Sequence, residues 1–595
     1  MLWYNKLKLT LLWKEAYMNT KNLIKQAFSN KVRSLIFLVL MVILTAVLSI
    51  FSYWIVKVII DNVIPNKDFD LLVFWIVMLS LTSILSFIFN SINQNNNISL
   101  GNYVTQYLRE NLYSTVLRAD LLEIEKMTSK EIIKRINRDT SKIGDSYITN
   151  DVLSFFGDSI FLIFLLIVLL VSSPLIALVV FCTLPIYYAL VKTFQKLYKK
   201  SEPKIKEILN EGQFIMNETL DKVKTVKLRN CIKFEEDNFK NWNEKNVKMK
   251  KQNNLLYKMN KHYISDLFVG LVLAINISIG VWIVIADPVG LNLTVGTLVL
   301  CVFLIPKIFS SFRNLLAIKI SNINITSAIE NLDEIFAFKS ESKFENIESL
   351  DEIYSVKFKD VYFHYLNNDF KLQNINFEVQ KGQKIGIYGD SQSGKTTIFN
   401  LLTKLAVPRT GSILINNCDI TKINTFYLRD IMASITAESD IFRTSIINNI
   451  VYPYEFDDYK YNDALNRSGL KDYVLSLPDG GDTIIDENLD PIIKQRIILA
   501  NGLYKDSKII LLDNACDLPE NEKIIDEVLK LKNKIFIILS NNIAQLNDCD
   551  KIIVLENGKI SEYGEIEELE KNKNSLYNQL NQKSKIKKFK SFKIS

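Results

Sequence analysis

One stretch decides the fold of the second half of the chain: Lys384-Ile385-Gly386-Ile387-Tyr388-Gly389-Asp390-Ser391-Gln392-Ser393-Gly394-Lys395-Thr396-Thr397. Residues 389–396 match the pattern G-x-x-x-x-G-K-[ST], and they lie between a hydrophobic strand pattern and a helix pattern. Such a loop lets backbone N–H groups surround phosphate groups, and the helix N-terminus adds positive potential. We therefore expect residues 389–397 to bind a nucleotide triphosphate, with Lys395 at the β- and γ-phosphates. A plain glycine turn is the alternative, and the Lys-Thr pair in register disfavours it.

A second pattern adds a metal to this prediction. Ile509–Asp513 is a run of four apolar residues that ends in a carboxylate. Hydroxyl and carboxylate oxygens are the ligands that Mg²⁺ prefers. We therefore predict that Thr396 and Asp513 bind Mg²⁺ beside the phosphates.

Short β-rich runs alternate with helical patterns on both sides of the loop. The runs cover residues 356–365, 375–379, 384–390, 411–417, 508–513, 535–540 and 551–564. This alternation predicts an α/β domain with a parallel core sheet. Within the last run, Asn557-Gly558 predicts a two-residue hairpin turn.

The first half of the chain has a different character, because long apolar runs dominate it. Six runs come close to the ~20 residues that a helix needs to cross a bilayer core. They are residues 34–56, 71–89, 153–171, 175–191, 267–285 and 295–312. None of them has a charged residue near its centre, which disfavours a proton-coupled carrier.

The spacing of the six runs predicts their topology. They come in pairs with short links, and two long polar stretches, residues 90–151 and 192–266, separate the pairs. These stretches have helical periodicity, so we expect the helices to continue well beyond the membrane. Lysines crowd the run ends that face the long stretches, which predicts that the stretches and both termini are cytoplasmic.

Composition excludes several classes of function. The chain is 48% hydrophobic and 23% charged, which fits a mixture of a lipid-facing part and a polar part. The net charge of +7 is spread over 595 residues, so a nucleic-acid partner is not expected. The six cysteines form no CxxC pair and there are only two histidines, so neither a zinc site nor a disulfide framework is predicted.

Each of three further segments has two possible interpretations. The first 30 residues predict an amphipathic helix on the inner membrane surface, with a flexible tail as the alternative. Residues 581–595 are basic, and we favour a disordered tail over a contact with anionic lipid. The asparagine-rich run 93–97 lines a cavity or, as we favour, reflects codon bias.

In these features the chain resembles the ATP-binding cassette (ABC) exporters that carry six spans ahead of one nucleotide-binding domain. The resemblance covers nearly the whole chain. Residues 358–365, FKDVYFHY, put Tyr365 at the position of the family's adenine-stacking aromatic. Residues 108–139 and 217–239 look like the two intracellular coupling loops, and residues 550–569 look like the terminal hairpin.

The resemblance implies a multidomain fold, in which an all-α six-helix transmembrane domain with long cytoplasmic helical extensions precedes an α/β P-loop NTPase domain. It implies a multi-pass protein of the bacterial plasma membrane, with the nucleotide-binding domain in the cytoplasm. The expected segments are an elbow helix at 1–33, the transmembrane domain at 34–335, a linker at 336–353, the nucleotide-binding domain at 354–580 and a basic tail at 581–595.

Several catalytic positions depart from the family pattern. By alignment without a gap, the LSGGQ signature becomes Leu489-Asp490-Pro491-Ile492-Ile493. The family's catalytic Glu is Asn514, its switch His is Asn541 and its Mg²⁺-sensing Gln is Ala437. Asparagine cannot act as a base, so we assign no catalytic residue, and whether the chain is an active ATPase stays open.

The resulting prediction is an exporter subunit that binds ATP and Mg²⁺ and hydrolyses ATP weakly or with the help of a partner. Its partners are the lipid bilayer, an unidentified peptide, drug or lipid-like substrate, and a second half-transporter. For the second subunit we favour a heterodimer over a homodimer. The alternative function is a non-hydrolysing, ATP-binding membrane scaffold or sensor.

Overall fold

The computed structural model describes residues 19–259, 264–286, 293–341, 347, 349–350, 352–365, 370–436, 440–486, 488–514, 528–531, 533–572 and 574–582. The chain divides into two compact units. The membrane unit contains residues 1–117 and 128–337, and the cassette unit contains residues 118–127 and 338–595.

Six helical segments of the membrane unit are long and apolar enough to cross a bilayer, as predicted. We number them span 1 to span 6, and they are Val32–Asn66, Phe69–Leu117, Ser129–Ser172, Pro174–Leu197, Asp266–Ile285 and Val295–Ile318. The helices of this unit are Thr20–Asn30, Val32–Val58, Ile64–Asn66, Phe69–Leu117, Ser129–Lys134, Leu153–Ser172, Pro174–Asp221, Val223–Leu228, Ile232–Lys258, Ile264–Ala286 and Val295–Phe336. π-Helical turns cover Ile59–Val63, Arg135–Asp139 and Lys142–Val152.

The predicted continuation of the helices beyond the membrane is confirmed. Phe69–Leu117 has 49 residues and Pro174–Asp221 has 48, about twice what a bilayer crossing needs. Ile232–Lys258 is a further helix of 27 residues in the second long polar stretch. These two stretches are therefore helical extensions and not loops.

An aromatic cluster forms part of the core of the membrane unit. Tyr187 of span 4 is fully buried. Its ring centroid lies 5.3 Å from that of Phe268 in span 5 and 5.4 Å from that of Phe309 in span 6. Such tilted and edge-on ring pairs stabilise helix contacts beyond their buried area, so the cluster joins three spans.

The helix Thr20–Asn30 packs against protein. Leu23 and Ala27 are buried on one of its faces. The backbone N–H and the hydroxyl of Thr20 both donate to Asp333 Oδ1, at 2.8 Å and 2.6 Å. Residues 1–18 lie outside the described residues, so the membrane-surface helix stays a prediction there.

The cassette unit contains two sheets. The ten strands are β1 Ser355–His364, β2 Lys371–Gln380, β3 Lys384–Tyr388, β4 Thr410–Ile415, β5 Cys418–Asp419, β6 Met432–Thr436, β7 Ile509–Asp513, β8 Ile535–Ser540, β9 Lys551–Glu556 and β10 Lys559–Glu565. The larger sheet has the order β10-β9-β3-β8-β7-β6 and is parallel from β9 to β6. The predicted α/β domain with a parallel core sheet is thus confirmed.

The smaller sheet is antiparallel, with the order β2-β1-β4-β5. Its apolar face and the larger sheet share one hydrophobic core, in which Phe358 and Phe377 stack with ring centroids 4.4 Å apart. The helices of this unit are Leu121–Ile124, Lys395–Leu402, Thr425–Asp430, Ile446–Val451, Asp458–Arg467, Lys471–Ser476, Pro491–Tyr504 and Ile566–Lys571. Short 3₁₀ helices are Ile420–Lys422, Gly480–Asp482 and Ile543–Leu546.

The predicted hairpin turn at Asn557-Gly558 is confirmed. Both residues have positive φ, 48° and 75°, and β9 pairs antiparallel with β10 on either side. A two-residue turn of this kind requires positive φ at both central positions, which Asn and Gly tolerate.

The predicted linker begins as an ordered segment of the cassette unit. Ser340 forms an antiparallel bridge with Ala119. Glu341 then accepts two hydrogen bonds from the guanidinium of Arg429, at 2.9 Å and 3.1 Å. A bidentate pair of this geometry is a strong polar contact, so the linker start is fixed to the cassette.

Candidate functional site

The phosphate loop has the strand-to-helix context that the sequence predicted. It follows β3 and leads into the helix Lys395–Leu402. Gly394 has a φ of 114°, and a Cβ there would lie 2.7 Å from Phe370 Cζ. Only glycine fits this position, because both the backbone conformation and the space exclude a side chain.

Lys395 lies inside the loop. Its side chain is buried, and Nζ donates to the carbonyl oxygens of Gly389 and Asp390, the latter at 3.0 Å. A buried ammonium group held by carbonyl oxygens keeps its positive charge close to the loop amides. The loop therefore presents a cation and backbone N–H groups together.

A cleft of about 1090 Å³ surrounds the loop. Its lining includes the predicted residues Tyr365, Asp390, Ser391, Gln392, Ser393, Gly394, Lys395, Thr396 and Thr397. Gly389 is not among the lining residues, because it lies at the base of the loop, where a Cβ would meet Ser393 Oγ at 2.3 Å.

Tyr365 lies on the wall of this cleft, and its ring is fixed from two sides. The ring of Phe363 contacts it edge-on at 4.8 Å. The amide of Asn400, in the helix that follows the loop, donates to its hydroxyl at 3.3 Å. The aromatic that we expect to stack on the base is thus tied to the phosphate-loop helix.

Sequence reasoning missed eight residues that also line the cleft. They are Phe370, Lys371, Gln373, Tyr388, Leu555, Glu556, Asn557 and Leu580. The turn at 557–558 was recognised as a hairpin, but its position beside the loop depends on the β3–β9 pairing. No local pattern reveals that pairing.

The parallel strands bring the predicted magnesium ligand to the same edge. Asp513 ends β7 and pairs in register with Leu539 of β8, which pairs with Ile387 of β3. The strands are about 4.8 Å apart, so Asp513 lies two strands from the start of the loop. Its side chain is buried.

Asn514 follows directly and contacts this acid. Its side-chain amide donates to Asp513 Oδ1 at 3.0 Å, and its backbone N–H donates to Leu539 O at 2.8 Å. Its own Oδ1 is buried with no hydrogen-bond partner among the described residues. The side chain therefore offers the site an amide oxygen and no carboxylate.

The remaining predicted positions are distributed along this edge. Asn541 is exposed and directly follows β8, between the ends of β3 and β7. Ala437 lies outside the described residues, although it follows β6, whose last residue Thr436 pairs with Asp513. The loop, Asp513, Asn514 and Asn541 are thus brought to one edge of the sheet.

The residues aligned with the signature lie at the start of the helix Pro491–Tyr504. None of residues 489–493 lines the described cleft. Asp490 is the N-cap of the helix Pro491–Tyr504, and its carboxylate accepts the N–H of Ile492 at 2.8 Å. A carboxylate at a helix N-terminus is stabilised by the helix dipole and occupies the place of an external anion.

The cleft fits a nucleotide with Mg²⁺. Ser393 Oγ is buried within the loop and has no partner among the described residues, so it has hydrogen-bonding capacity left for a phosphate. The hydroxyl of Thr396 is on an exposed residue, and with the Asp513 carboxylate it supplies hard oxygen donors. Burial raises the pKa of Tyr388, and the charge of Asp390 acts in the same direction, so this tyrosine lines the cleft as a neutral group.

Two family sequence models match the chain. The model of the ABC transporter transmembrane region matches residues 35–312, and the ABC transporter model matches residues 372–517. The first match covers the six spans up to residue 312, and the second covers the phosphate loop and Asp513. Together they span most of the chain.

Curated relatives match over similar lengths. An export ATP-binding/permease protein of Rickettsia bellii is 27% identical over 509 residues, which is 82% of this chain and 85% of that protein. An ATP-dependent lipid A-core flippase of Wigglesworthia glossinidia brevipalpis is 25% identical over 479 residues, which is 78% of this chain and 81% of that protein. Both relatives are bacterial.

A solved structure has the same fold. The structure of a bacterial Atm1-family ABC exporter with ATP bound aligns with a TM-score of 0.79 at 22% identity, covering 93% of this chain and 99% of that chain. With six candidate spans, this chain is a multi-pass protein of the bacterial plasma membrane. Both of its domains match in order, and the chain belongs to the ABC transporter family as an exporter subunit with a membrane domain fused ahead of its cassette.

Proposed function

We propose that this exporter subunit binds ATP-Mg²⁺ in the cleft around residues 389–397 but hydrolyses it poorly by itself. The phosphates contact the loop amides and Lys395, Tyr365 stacks on the adenine, and Thr396 and Asp513 bind the metal. The bound metal neutralises charge on the phosphates. The exporter's energy then comes chiefly from nucleotide binding or from a second, competent subunit.

One observation carries this proposal: the residue after Asp513 is an amide that donates to Asp513 itself, 3.0 Å away. A general base in this place would have to be a carboxylate that accepts a proton from water. Its absence typically costs 10²–10⁴ in rate. The exposed amide of Asn541 adds no base at this edge of the described sheet.

The partner that we propose is a second half-transporter, and we favour a different chain over a second copy. A second copy would bring the same Asn514, Asn541 and Asp490 to each shared site. A different chain would leave Asn514 and Asn541 in one shared site and Asp490 in the other, so both sites stay impaired but each has fewer altered groups. The substrate class stays among peptides, drugs and lipid-like molecules, and the flippase relative supports the lipid-like class.

The test uses the full chain in nanodiscs, alone and co-purified with a candidate second subunit. We expect saturable binding of a fluorescent ATP analogue and turnover near background for the chain alone. Vanadate-sensitive turnover that rises on addition of the partner supports the proposal. Fast hydrolysis by the chain alone would overturn the claim of poor catalysis.

A second function, the non-hydrolysing scaffold or sensor, is favoured by the capped helix at Asp490. A helix start that already holds a carboxylate repels phosphate from a facing subunit. If no partner restores turnover and ATP binding persists, this second function replaces transport.

A further inference from the structure

The guanidinium group of Arg429 connects two segments of the cassette unit that are far apart in the chain. Its Nε donates to Thr403 O and its Nη2 donates to Lys404 O, each at 3.2 Å. The same group forms the bidentate pair with Glu341, at 2.9 Å and 3.1 Å. The Glu341 side chain is only 17% exposed, so water and salt screen this pair less than a surface ion pair. One side chain therefore joins residues 403–404 to the start of the linker.

The first of these segments ends the helix of the phosphate loop. Thr403 and Lys404 directly follow the helix Lys395–Leu402, which has eight residues and begins in the loop. The last carbonyl groups of a helix have no partner within the helix, and the helix dipole favours a cation beside them. A helix of this length is about 12 Å long. The phosphate loop and the Arg429 guanidinium thus lie at opposite ends of one short, rigid element.

A second helix ends at the same place. Lys505 directly follows the helix Pro491–Tyr504, and its ammonium group donates to Arg429 O at 3.0 Å. This helix begins after Asp490, among the residues that align with the signature. The two helices whose first residues align with nucleotide-binding motifs therefore both end beside Arg429.

The linker leads from Arg429 along the chain to two long helices of the membrane unit. Residues 118–120 and 339–341 form a short antiparallel ladder, with N–H···O bonds of 3.1 Å and 2.8 Å on either side of its central bridge. Residue 118 directly follows the helix Phe69–Leu117, and residue 339 lies three positions beyond the helix Val295–Phe336. The ladder thus holds together the chain segments that continue these two helices.

We propose that Arg429 is a positioning residue that couples nucleotide binding at the phosphate loop to the ends of these two helices in the same chain, through Glu341. This inference concerns the regulation of the proposed ATP site and so rests on that function. Phosphates that bind at the start of the helix Lys395–Leu402 shift or order this helix, and Arg429 holds the carbonyl groups at its other end. Hydrogen-bond networks and rigid elements of this kind carry coupling between distant sites.

The test compares hydrogen exchange of the full chain in nanodiscs with and without saturating ATP-Mg²⁺. Amide exchange measures the free energy of local opening. We expect ATP to slow exchange about fivefold or more in residues 389–402, where it binds. We expect a similar slowing at the helix ends, residues 108–117 and 327–336, because couplings between sites are typically 5–150-fold.

Two variants break the proposed connection without touching the phosphate loop. Arg429→Ala should keep the ATP effect in residues 389–402 and reduce it at both helix ends to less than about twofold. Glu341→Gln should do nearly the same, because a neutral amide does not form the charged bidentate pair. Arg429→Lys keeps the charge but not the planar fork, so it should retain part of the effect. The double variant Arg429→Ala/Glu341→Gln should lose no more than the more affected single variant, since both changes break one contact.

The matched control is Arg467→Ala, which removes an exposed guanidinium group that pairs with Asp463 at 2.9 Å. It should leave every ATP effect unchanged. A full ATP effect at the helix ends in both Arg429→Ala and Glu341→Gln would overturn the proposal, and the pair would then only hold the linker in place. Loss of the ATP effect in residues 389–402 of these two variants would also contradict it, because that result indicates general damage to the cassette.

Binding of a fluorescent ATP analogue to the unchanged chain separates this inference from the proposed function. Saturable binding, with slower exchange in residues 389–402 but not at the helix ends, would overturn the coupling and leave the ATP site supported. No binding and no ATP effect in any segment would contradict the ATP site, and the coupling would fall with it.

Discussion

The end of β3 and the ends of β7 and β8 lie side by side on one sheet edge, yet they differ in the functional groups that follow them. At β3 the chain keeps a complete phosphate loop with a buried Lys395. At β7 and β8 it keeps the strands and Asp513 but has asparagine at 514 and 541. The comparison teaches that backbone architecture and chemistry are separable: strands and glycines build the site, and we propose that a few side chains decide whether it hydrolyses ATP.

The largest effect that we expect comes from the β3 side. Lys395→Ala removes the buried cation that we propose binds the phosphates, and loss of such a partner costs about 2–5 kcal/mol. We expect the affinity for a fluorescent ATP analogue to fall about 100-fold or more. Equilibrium titration of the full chain measures this loss.

The control for this variant is Lys359→Ala, which removes an exposed lysine of β1. It should bind the analogue normally. If Lys395→Ala also binds the analogue normally, the phosphate loop after β3 does not bind nucleotide in the way we propose.

The second largest effect that we expect is a gain in the rate of ATP hydrolysis from a substitution at the end of β7. Asn514→Glu places a carboxylate after Asp513, and a general base is worth 10²–10⁴ in rate. Because Asp490 stays in place, we expect a rise in turnover of only about tenfold or more. A phosphate-release assay on the full chain measures it.

Asn514 has a φ of 49°, which is unfavourable for most side chains. Asn514→Gln therefore serves as the matched control, since it has the same backbone cost and no base. Equal turnover in the two variants would show that position 514 does not limit hydrolysis.

A smaller loss is expected at the wall of the cleft. Stacking of a base on an aromatic ring contributes about 1–3 kcal/mol, so Tyr365→Ala should weaken ATP binding about tenfold. Tyr365→Phe keeps the ring and loses only the 3.3 Å contact with Asn400. Competition titrations measure the affinity for ATP. An affinity of Tyr365→Phe near that of the unchanged chain, with a much lower affinity of Tyr365→Ala, supports stacking. Equal losses of affinity in the two variants would contradict it.

The helix cap at Asp490 should affect stability more than nucleotide binding. Replacing an N-cap aspartate by alanine typically costs about 1 kcal/mol, and Asp490→Ser should recover most of it. Thermal unfolding followed by circular dichroism compares the three chains, because none of the six tryptophans lies beyond residue 282. If Asp490→Ala and Asp490→Ser unfold at the same temperature, the 2.8 Å contact with Ile492 is not stabilising.

The smallest effect concerns the turn that joins the Pro491–Tyr504 helix to β7. Burial acts to raise the pKa of Asp506, but the ammonium groups of Lys508 and Lys534, at 2.6 Å and 2.9 Å, lower it overall. This contribution to stability is present above the unfolded-state pKa and is lost as the pH falls through the lowered pKa. The carboxylate is 68% exposed, so we expect Asp506→Asn to differ only slightly from the unchanged chain, and only at neutral pH. Unfolding at pH 7 and pH 3 tests this.

Much of the fold was predictable, because its main sequence patterns are formed by residues that are close together in the chain. The six apolar runs, the loop pattern and the Asn557-Gly558 turn all depend on neighbouring residues. The strands β5 and β6 were missed, since β5 has two residues and β6 reads as Met-Ala-Ser-Ile-Thr without a strong alternation.

The sequence pointed to the loop residues that line the cleft, but it did not give the contacts around them. The Asp490 cap and the bond from Asn514 to Asp513 depend on side-chain geometry that spacing does not give. The cleft residues Lys371 and Leu580 come from segments more than 200 residues apart. Only the folded sheet brings such segments together.

The most direct test of the central claim measures binding and turnover in one sample of the unchanged chain. Nucleotide occupancy and phosphate release are followed together at saturating ATP-Mg²⁺ in nanodiscs. The account predicts near-complete occupancy of the cleft with phosphate release close to background. Rapid release by the chain alone, or no occupancy at all, would contradict it.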